Sequence, residues 1–127
     1  MSPKFVPASV AELSRVGLLA ELPGEKLREL ATRMEREEVP AGRSVVREGE
    51  EGDRFYIVLS GLLAVSSDAF GARRLLRPGS YFGEVALAID TPRTASVTAM
   101  TRSTVASCDR TAFEEFVLPL FADDQGH

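Results

Sequence analysis

Glycine spacing constrains the fold of this chain more than any other feature of its sequence. Seven glycines lie between residues 42 and 83, three to ten residues apart, and valine, leucine, tyrosine and phenylalanine stand between them. Segments this short match strands separated by turns better than they match helices. The clearest strands are residues 54–61 (RFYIVLSG) and 62–67 (LLAVSS), and a later pair lies within residues 94–108. The sequence therefore predicts a strand-rich body over about residues 39–108.

Helical patterns precede this body. Residues 9–36 have apolar side chains at helical spacing, interrupted by Pro23 and Gly24. Ser9 is the predicted N-cap of the first helix, because a glutamate follows it three residues later. We therefore expect two short helices joined at the Pro-Gly break.

A helical pattern also follows the strand-rich body. Residues 109–118 predict a closing helix, with Asp109 as its N-cap and Pro119 as its end. The order of helices, strands with one internal helical turn, and a final helix indicates an α+β fold built around a β-roll or jelly-roll core. The length favours a single domain that spans residues 1–127.

The charge and the apolar pattern argue against several classes of protein. A net charge of −4 gives no basic face for nucleic acid or an anionic membrane. No apolar run approaches the roughly 20 residues that a membrane-spanning helix needs. The first residues lack the basic and apolar segments of a secretory signal. We therefore expect a cytoplasmic protein that neither binds nucleic acid nor inserts into a membrane.

The chain has one cysteine and one histidine. Cys108 cannot form an intrachain disulfide, and His127 is the last residue, in an expected tail. A histidine-rich metal site or a Cys–His nucleophile pair cannot be assembled from such a sequence. A phosphodiesterase or a metal-dependent oxygenase is thus disfavoured, and we expect no catalytic residue, metal or cofactor. Cys108 is interpreted as a small buried apolar residue at a strand end.

Residues 81–97 (YFGEVALAIDTPRTASV) contain a short helical turn between two strands. Gly83 removes a side chain where the chain enters the turn. Val85 and Ala86 then present backbone N–H groups that no preceding carbonyl can accept from. Such a turn is suited to phosphate, and its small residues let a ligand approach the backbone.

An acid and a base lie near the two ends of this stretch. Arg93 follows a proline that stiffens its loop, and a guanidinium can hold two phosphate oxygens. Glu84 beside a phosphate site needs a neutral donor, and a sugar hydroxyl fits. Together the two residues describe a nucleotide site. The alternative is a surface ion pair between Glu84 and Arg93, which is a common and weak interaction.

Residues 82–97 resemble the phosphate-binding cassette of the cyclic nucleotide-binding domain family, which includes catabolite activator protein and protein kinase regulatory subunits. The family pattern runs F-G-E-x-A-L, a short loop, P-R, a small residue or threonine, alanine, then serine or threonine. Upstream, residues 41–65 are similar to the family's first hairpins and their Gly-Asp turn, and the likeness covers about residues 10–118.

The resemblance implies a function. It implies a non-catalytic sensory or regulatory module that binds cAMP or cGMP and transmits binding to a partner or an output domain. The alternative is a degenerate member that serves as a protein-interaction domain without ligand. The family also has a longer helix after the closing helix, which covers the base. The interruption at Pro119 leads us to expect that this lid is absent or vestigial here.

The resemblance also implies the roles of individual residues. Glu84 matches the acid that accepts from the ribose 2′-hydroxyl, and Arg93 matches the base that neutralises the cyclic phosphate. Gly83, Ala86 and Thr94 match positions that complete the phosphate cradle through backbone or hydroxyl groups.

Two further residues bear on the sugar and the base. Val65 matches the apolar residue that packs on both, and Arg74 falls where the family contacts the purine. Cyclic-GMP-dependent protein kinases are similar there, with arginine at that position and threonine after the cassette arginine, and arginine can donate twice to guanine O6 and N7. The alternative places Arg74 in solvent on an outward strand face, with cAMP as the ligand. Threonine at the position of Thr94 also occurs in family members that prefer cAMP. Both cAMP and cGMP therefore remain possible ligands.

Overall fold

The computed structural model describes residues 6–68, 73–88 and 91–125, so the predicted position of His127 lies outside the described residues. The helical segments are α1 (Val10–Ser14), a 3₁₀ turn (Gly17–Glu21), α2 (Gly24–Arg33), α3 (Glu84–Ala88), α4 (Arg110–Ala112), a π-helical turn (Phe113–Val117) and α5 (Leu118–Gln125). The strands are β1 (Glu35–Val39), β2 (Ser44–Val46), β3 (Arg54–Ser60), β4 (Leu63–Ser66), β5 (Arg73–Leu76), β6 (Tyr81–Phe82), β7 (Ser96–Ala99) and β8 (Ser103–Asp109). In these three stretches, no helix is long and apolar enough to cross a bilayer.

The strands form two four-stranded antiparallel sheets. The first has the order β1-β8-β3-β6, and the second has the order β2-β7-β4-β5. A cluster of buried side chains from both sheets fills the space between them, and we call it the roll core: Val39, Val46, Val58, Leu63, Leu76, Phe82, Val97, Ala99 and Val105. The sheets, the helices and this shared core confirm the predicted α+β roll.

A second cluster packs the helices on the outer face of the first sheet, and β8 shows the arrangement. Every residue of β8 except Asp109 is buried. Successive side chains of a strand point to opposite faces. Val105 therefore joins the roll core, while Ala106 and Cys108 join the second cluster, here called the helical core. The other buried members of the helical core are Ala8, Leu13, Val16, Leu19, Leu27, Leu30, Ala31, Met34, Phe55, Ile57, Leu87, Ala112, Phe113, Phe116, Val117 and Leu120. The first sheet is thus covered on both faces, and Cys108 is buried as predicted.

The N-terminal helices agree with the sequence at their start and differ at their end. The Ser9 side chain accepts a hydrogen bond from the Glu12 N–H, and the Glu12 carboxylate accepts one from the Ser9 N–H, which completes the expected capping box. However, α2 ends at Arg33, and the next residues pair with β8 as β1. The prediction of helix to residue 36 is therefore wrong, because pairing with β8 outweighs the helix propensity of the sequence EREE.

The closing helix begins as predicted and continues further. The Asp109 side chain caps α4 by accepting from the Ala112 N–H. In the π-helical turn, the Leu118 N–H donates to the Phe113 carbonyl, five residues earlier. Pro119 lies directly after this turn, as the second residue of α5, and the helical segment continues past it to Gln125. The prediction that Pro119 ends the helix is wrong, and the expected absence of a lid loses this support.

Candidate functional site

The eight site residues predicted from the sequence line one cavity of about 150 Å³. They come from β4, β5, the start of α3 and the loop before β7: Val65, Arg74, Gly83, Glu84, Val85, Ala86, Arg93 and Thr94. Four further residues, not predicted from the sequence, complete the wall: Val46, Phe82, Ala95 and Val97. Val46, Phe82 and Val97 are buried members of the roll core, so the cavity borders that core.

Gly83 allows the chain to turn from β6 into α3. Its φ is +96°, a conformation that residues with a side chain rarely adopt. A Cβ atom built there would lie 2.8 Å from the Arg54 carbonyl oxygen and 2.8 Å from Arg93 Nη1. Glycine is therefore required here both by the backbone and by the close approach of Arg93.

Arg93 is buried, with 7% of its surface exposed, although it is an arginine. Its Nη2 donates to the Arg54 carbonyl at 3.0 Å, and its Nη1 donates to the Gly83 carbonyl at 3.4 Å. The main chain of Arg93 is also held, because its N–H donates to the Glu50 carbonyl and its carbonyl accepts from the Gly49 N–H. The guanidinium is thus fixed at both its backbone and its side chain.

Burial lowers the pKa of Arg93 from its usual value, while the nearby Tyr56, Asp53 and Glu84 act in the opposite direction. An arginine with an ordinary pKa above 12 remains charged after such a shift. A guanidinium has five N–H donors, and backbone carbonyls among the described residues take up two. The cavity therefore contains a fixed positive charge with donors left for an anion.

Glu84, the first residue of α3, is in a different situation. Its Oε2 atom is buried and has no hydrogen-bond partner among the described residues. No ion pair joins Glu84 to Arg93 in that part of the chain. The surface ion pair considered from the sequence is therefore not formed. A buried acceptor without a donor is unfavourable, so this oxygen is suited to a donor supplied by a ligand.

Gly52 also belongs to the site, although it was not predicted from the sequence. A Cβ atom there would lie 2.7 Å from Ala86 Cβ and 2.7 Å from the Cζ and Nε atoms of Arg93. Glycine therefore lets the turn before β3 pack directly against the guanidinium. The sequence signal for this residue is the Gly-Asp pair at residues 52–53, which by itself predicts only a turn.

Val65 and Arg74 lie opposite each other in the β4–β5 pair. Arg74 is exposed and lines the edge of the cavity. It also lines a neighbouring cavity of about 360 Å³, which shares Glu84 with the first. Arg74 is therefore exposed to solvent, as one alternative predicts, and also borders the cavity, as the other alternative requires for contact with the base.

The thiol of Cys108 lies away from this cavity, in the helical core. Burial raises the pKa of Cys108 to about 12, so the thiol is protonated and is a poor nucleophile at neutral pH. Among the described residues, no group of three or more acidic, histidine or cysteine side chains could hold a metal ion.

Comparison with known proteins identifies the family. The model of the cyclic nucleotide-binding domain matches residues 36–118. The chain belongs to the cyclic nucleotide-binding domain family. The domain is 38% identical over 108 residues to the cAMP-dependent protein kinase regulatory subunit of Eremothecium gossypii, an alignment that covers 85% of this chain and 24% of that protein. It thus spans about a quarter of the length of that curated relative.

Solved structures resemble the domain over most of its length. The regulatory domain of Toxoplasma gondii PKA with cAMP has a TM-score of 0.81 and 28% identity, covering 91% of this chain and 47% of that one. The regulatory subunit of a cAMP-independent protein kinase A from Trypanosoma cruzi, bound to guanosine, has a TM-score of 0.81 and 27% identity, covering 91% and 43%. Members with this fold therefore include proteins bound to a cyclic nucleotide and to a nucleoside.

Proposed function

We propose that the domain binds a 3′,5′-cyclic nucleotide, cAMP or cGMP, in this cavity without catalysing its conversion. One observation carries the proposal: the same cavity contains a buried guanidinium fixed by two carbonyls and a carboxylate oxygen without a donor. A ligand that matches both must present an anion and a neutral hydroxyl close together. A cyclic phosphate fused to a ribose has this chemistry.

The cavity also supports an orientation for the ligand. The phosphate would lie at Arg93, beside Gly83 and Ala86, and the ribose 2′-hydroxyl would donate to Glu84. The apolar side chain of Val65 would then pack against the sugar and the base. Thr94 and Val85 line the same wall and complete the proposed contacts.

A binding role without catalysis is supported by the chemistry of the lining. Apolar side chains, glycine, one threonine, one carboxylate and two arginines border the cavity. In the proposed orientation, Glu84 accepts a hydrogen bond from the ribose, and Arg93 neutralises the phosphate. The buried thiol of Cys108 belongs to the helical core instead.

We further propose that ligand binding shifts α3 and that this shift is transmitted to the closing helices. Leu87 on α3 is part of the helical core, together with Phe113 and Phe116 of the π-helical turn. The Arg110 Nη1 atom donates to the Leu87 carbonyl at 2.8 Å. A shift of α3 on ligand binding would therefore reach the C-terminal segment. The names of the relatives point to a protein kinase as the class of partner that reads this shift.

The test is a set of parallel calorimetric titrations of the chain with cAMP, cGMP, adenosine and guanosine. We expect the cyclic nucleotides to bind more tightly than the matching nucleosides, because only the cyclic nucleotides carry a phosphate that can bind the Arg93 guanidinium. Absence of heat and of NMR chemical-shift changes with both cyclic nucleotides at millimolar concentration would overturn the proposal. That result would favour a degenerate domain that serves protein interaction.

A further inference from the structure

Tyr56 lies on β3 and faces the segment that leads into α3. It is opposite Phe82 in the β3–β6 pair and opposite Ser107 in the β3–β8 pair. Its ring stacks on the ring of Phe82, with centroids 4.8 Å apart and planes inclined by 3°. Because Phe82 directly precedes Gly83, this stack fixes the strand from which the cavity wall begins.

The same ring contacts Arg93. The Cζ atom of Arg93 lies 5.7 Å from the centroid of the Tyr56 ring, over its face. This is within the distance of about 6 Å at which a guanidinium is attracted to an aromatic ring, and the attraction is stronger at buried positions. Tyr56 is half-buried, and burial raises the pKa of its hydroxyl, so the interaction involves a neutral ring.

Three contacts therefore hold the Arg93 side chain in different directions. The Arg54 and Gly83 carbonyls accept from its two terminal nitrogens, which fixes the guanidinium along its edge. The Tyr56 ring covers one face and opposes rotation out of that plane. Without the ring, the guanidinium would lose its contact on that face, and one of the two remaining hydrogen bonds, to Gly83, is long at 3.4 Å.

We propose that Tyr56 is a positioning residue for Arg93, whose ring holds the guanidinium in the orientation that receives the ligand phosphate before any ligand arrives. The proposal rests on the proposed function, because it concerns how this cavity binds its anion. Fixing a side chain in advance removes part of the entropy that binding would otherwise lose. The benefit applies to the phosphate and not to the rest of the nucleotide.

The binding test compares Tyr56→Leu, which removes the ring, with Tyr56→Phe, which keeps it. Tyr56→Leu is expected to weaken cAMP and cGMP binding about 3- to 30-fold, the range of such ring–cation attractions, and to leave adenosine and guanosine unchanged. Tyr56→Phe should bind like the parent. Tyr81→Leu is the matched control, because Tyr81 precedes Phe82 on β6 but contacts Phe55 and Phe121 instead of Arg93.

Equal losses for nucleotides and nucleosides would overturn the proposal, since they indicate general damage to the cavity. Equal losses in Tyr56→Leu and Tyr81→Leu would do the same. In the Arg93→Lys background, Tyr56→Leu should have a smaller effect than in the parent, because the planar group that it positions is gone. An undiminished effect would contradict the proposed role.

A second measurement needs no ligand and therefore separates this proposal from the proposed function. The Arg93 Nε–H resonance, assigned by its absence in Arg93→Lys, should be displaced by the ring current of Tyr56 and should show restricted motion. Tyr56→Phe should preserve both properties, and Tyr56→Leu should abolish them. An Arg93 signal unchanged in Tyr56→Leu would overturn the positioning role even if the domain binds cyclic nucleotides. A parent chain that binds no nucleotide but shows this pattern would overturn the proposed function alone.

Discussion

Arg93 and Glu84 line the same cavity, but the fold treats them in opposite ways. Arg93 has two carbonyl acceptors and an aromatic ring beside it. Glu84 has a buried Oε2 atom that no donor among the described residues reaches. The cation is therefore part of the folded structure, whereas the buried carboxylate oxygen lacks a partner within it. Substitutions at the two positions should consequently separate the stability of the domain from its affinity for ligand.

The largest effect is expected for Arg93→Ala. Loss of the phosphate's partner should weaken cyclic nucleotide binding by about 2–5 kcal/mol, the usual range for truncating one member of a buried charge pair. The free energy of unfolding should also fall, because the Arg54 and Gly83 carbonyls lose their donors. Calorimetry and chemical denaturation measure the two effects.

Arg102→Ala is the control for this substitution. The Arg102 side chain is 76% exposed and forms an ion pair with Glu38 at the surface. Its removal should change neither affinity nor stability by more than about 0.5 kcal/mol. A stable Arg93→Ala variant that binds like the parent would remove Arg93 from both roles.

Glu84→Ala should weaken ligand binding without the loss of stability that is expected for Arg93→Ala. Binding is expected to weaken by about 1.5–3 kcal/mol, since one hydrogen bond to a charged group is lost. The free energy of unfolding should stay near the parent value or rise, because the variant no longer buries a carboxylate oxygen without a partner. The same two measurements apply, with the exposed Glu21→Ala as control. A marked loss of stability in Glu84→Ala would contradict the contrast with Arg93.

Gly52→Ala tests the position of Arg93 while it keeps the charge. The added Cβ would approach the Cζ atom of Arg93 and the Cβ atom of Ala86 to 2.7 Å, so one of them must move. Overpacking of this kind typically costs about 1–3 kcal/mol, and we expect a loss of cyclic nucleotide affinity of that order.

Gly17→Ala is the matched control, because a Cβ there would meet nothing within 4 Å. It should leave calorimetric affinity unchanged. Parent-like binding by Gly52→Ala would show that the orientation of the guanidinium matters less than its charge.

The sequence predicted local features well because their signals are local. The Ser9 capping box, the Asp109 cap and the strands between glycines all depend on residues a few positions apart. The predicted helix end at residue 36 is wrong because β1 owes its conformation to pairing with β8, some 70 positions later. The predicted helix end at Pro119 is also wrong, because the helix continues past it after a π-helical turn that no residue pattern predicts.

The site shows the same difference between features set by nearby residues and features set by distant ones. The resemblance of residues 82–97 selected residues that the fold does bring to one cavity, although their individual roles stay predictions. It did not select Gly52 and Tyr56, which act on Arg93 from some 40 residues earlier in the chain. Contacts between segments that are far apart in the chain leave no repeating pattern in the sequence. Only the folded structure therefore shows that Gly52 and Tyr56 contact Arg93.

The smallest effect is expected at Arg74, which contrasts with Arg93 as an exposed arginine at the edge of the same cavity. Guanine presents two acceptors, O6 and N7, to a guanidinium, whereas adenine presents an amine in place of O6. Arg74→Ala should therefore weaken cGMP by about 1 kcal/mol, the lower end for a bidentate base contact because an exposed side chain is screened. Binding of cAMP should change little. Arg77→Ala, an exposed arginine just after β5, is the control. If parallel titrations give the same ratio of cGMP to cAMP dissociation constants before and after Arg74→Ala, Arg74 does not read the base, and cAMP becomes the expected ligand.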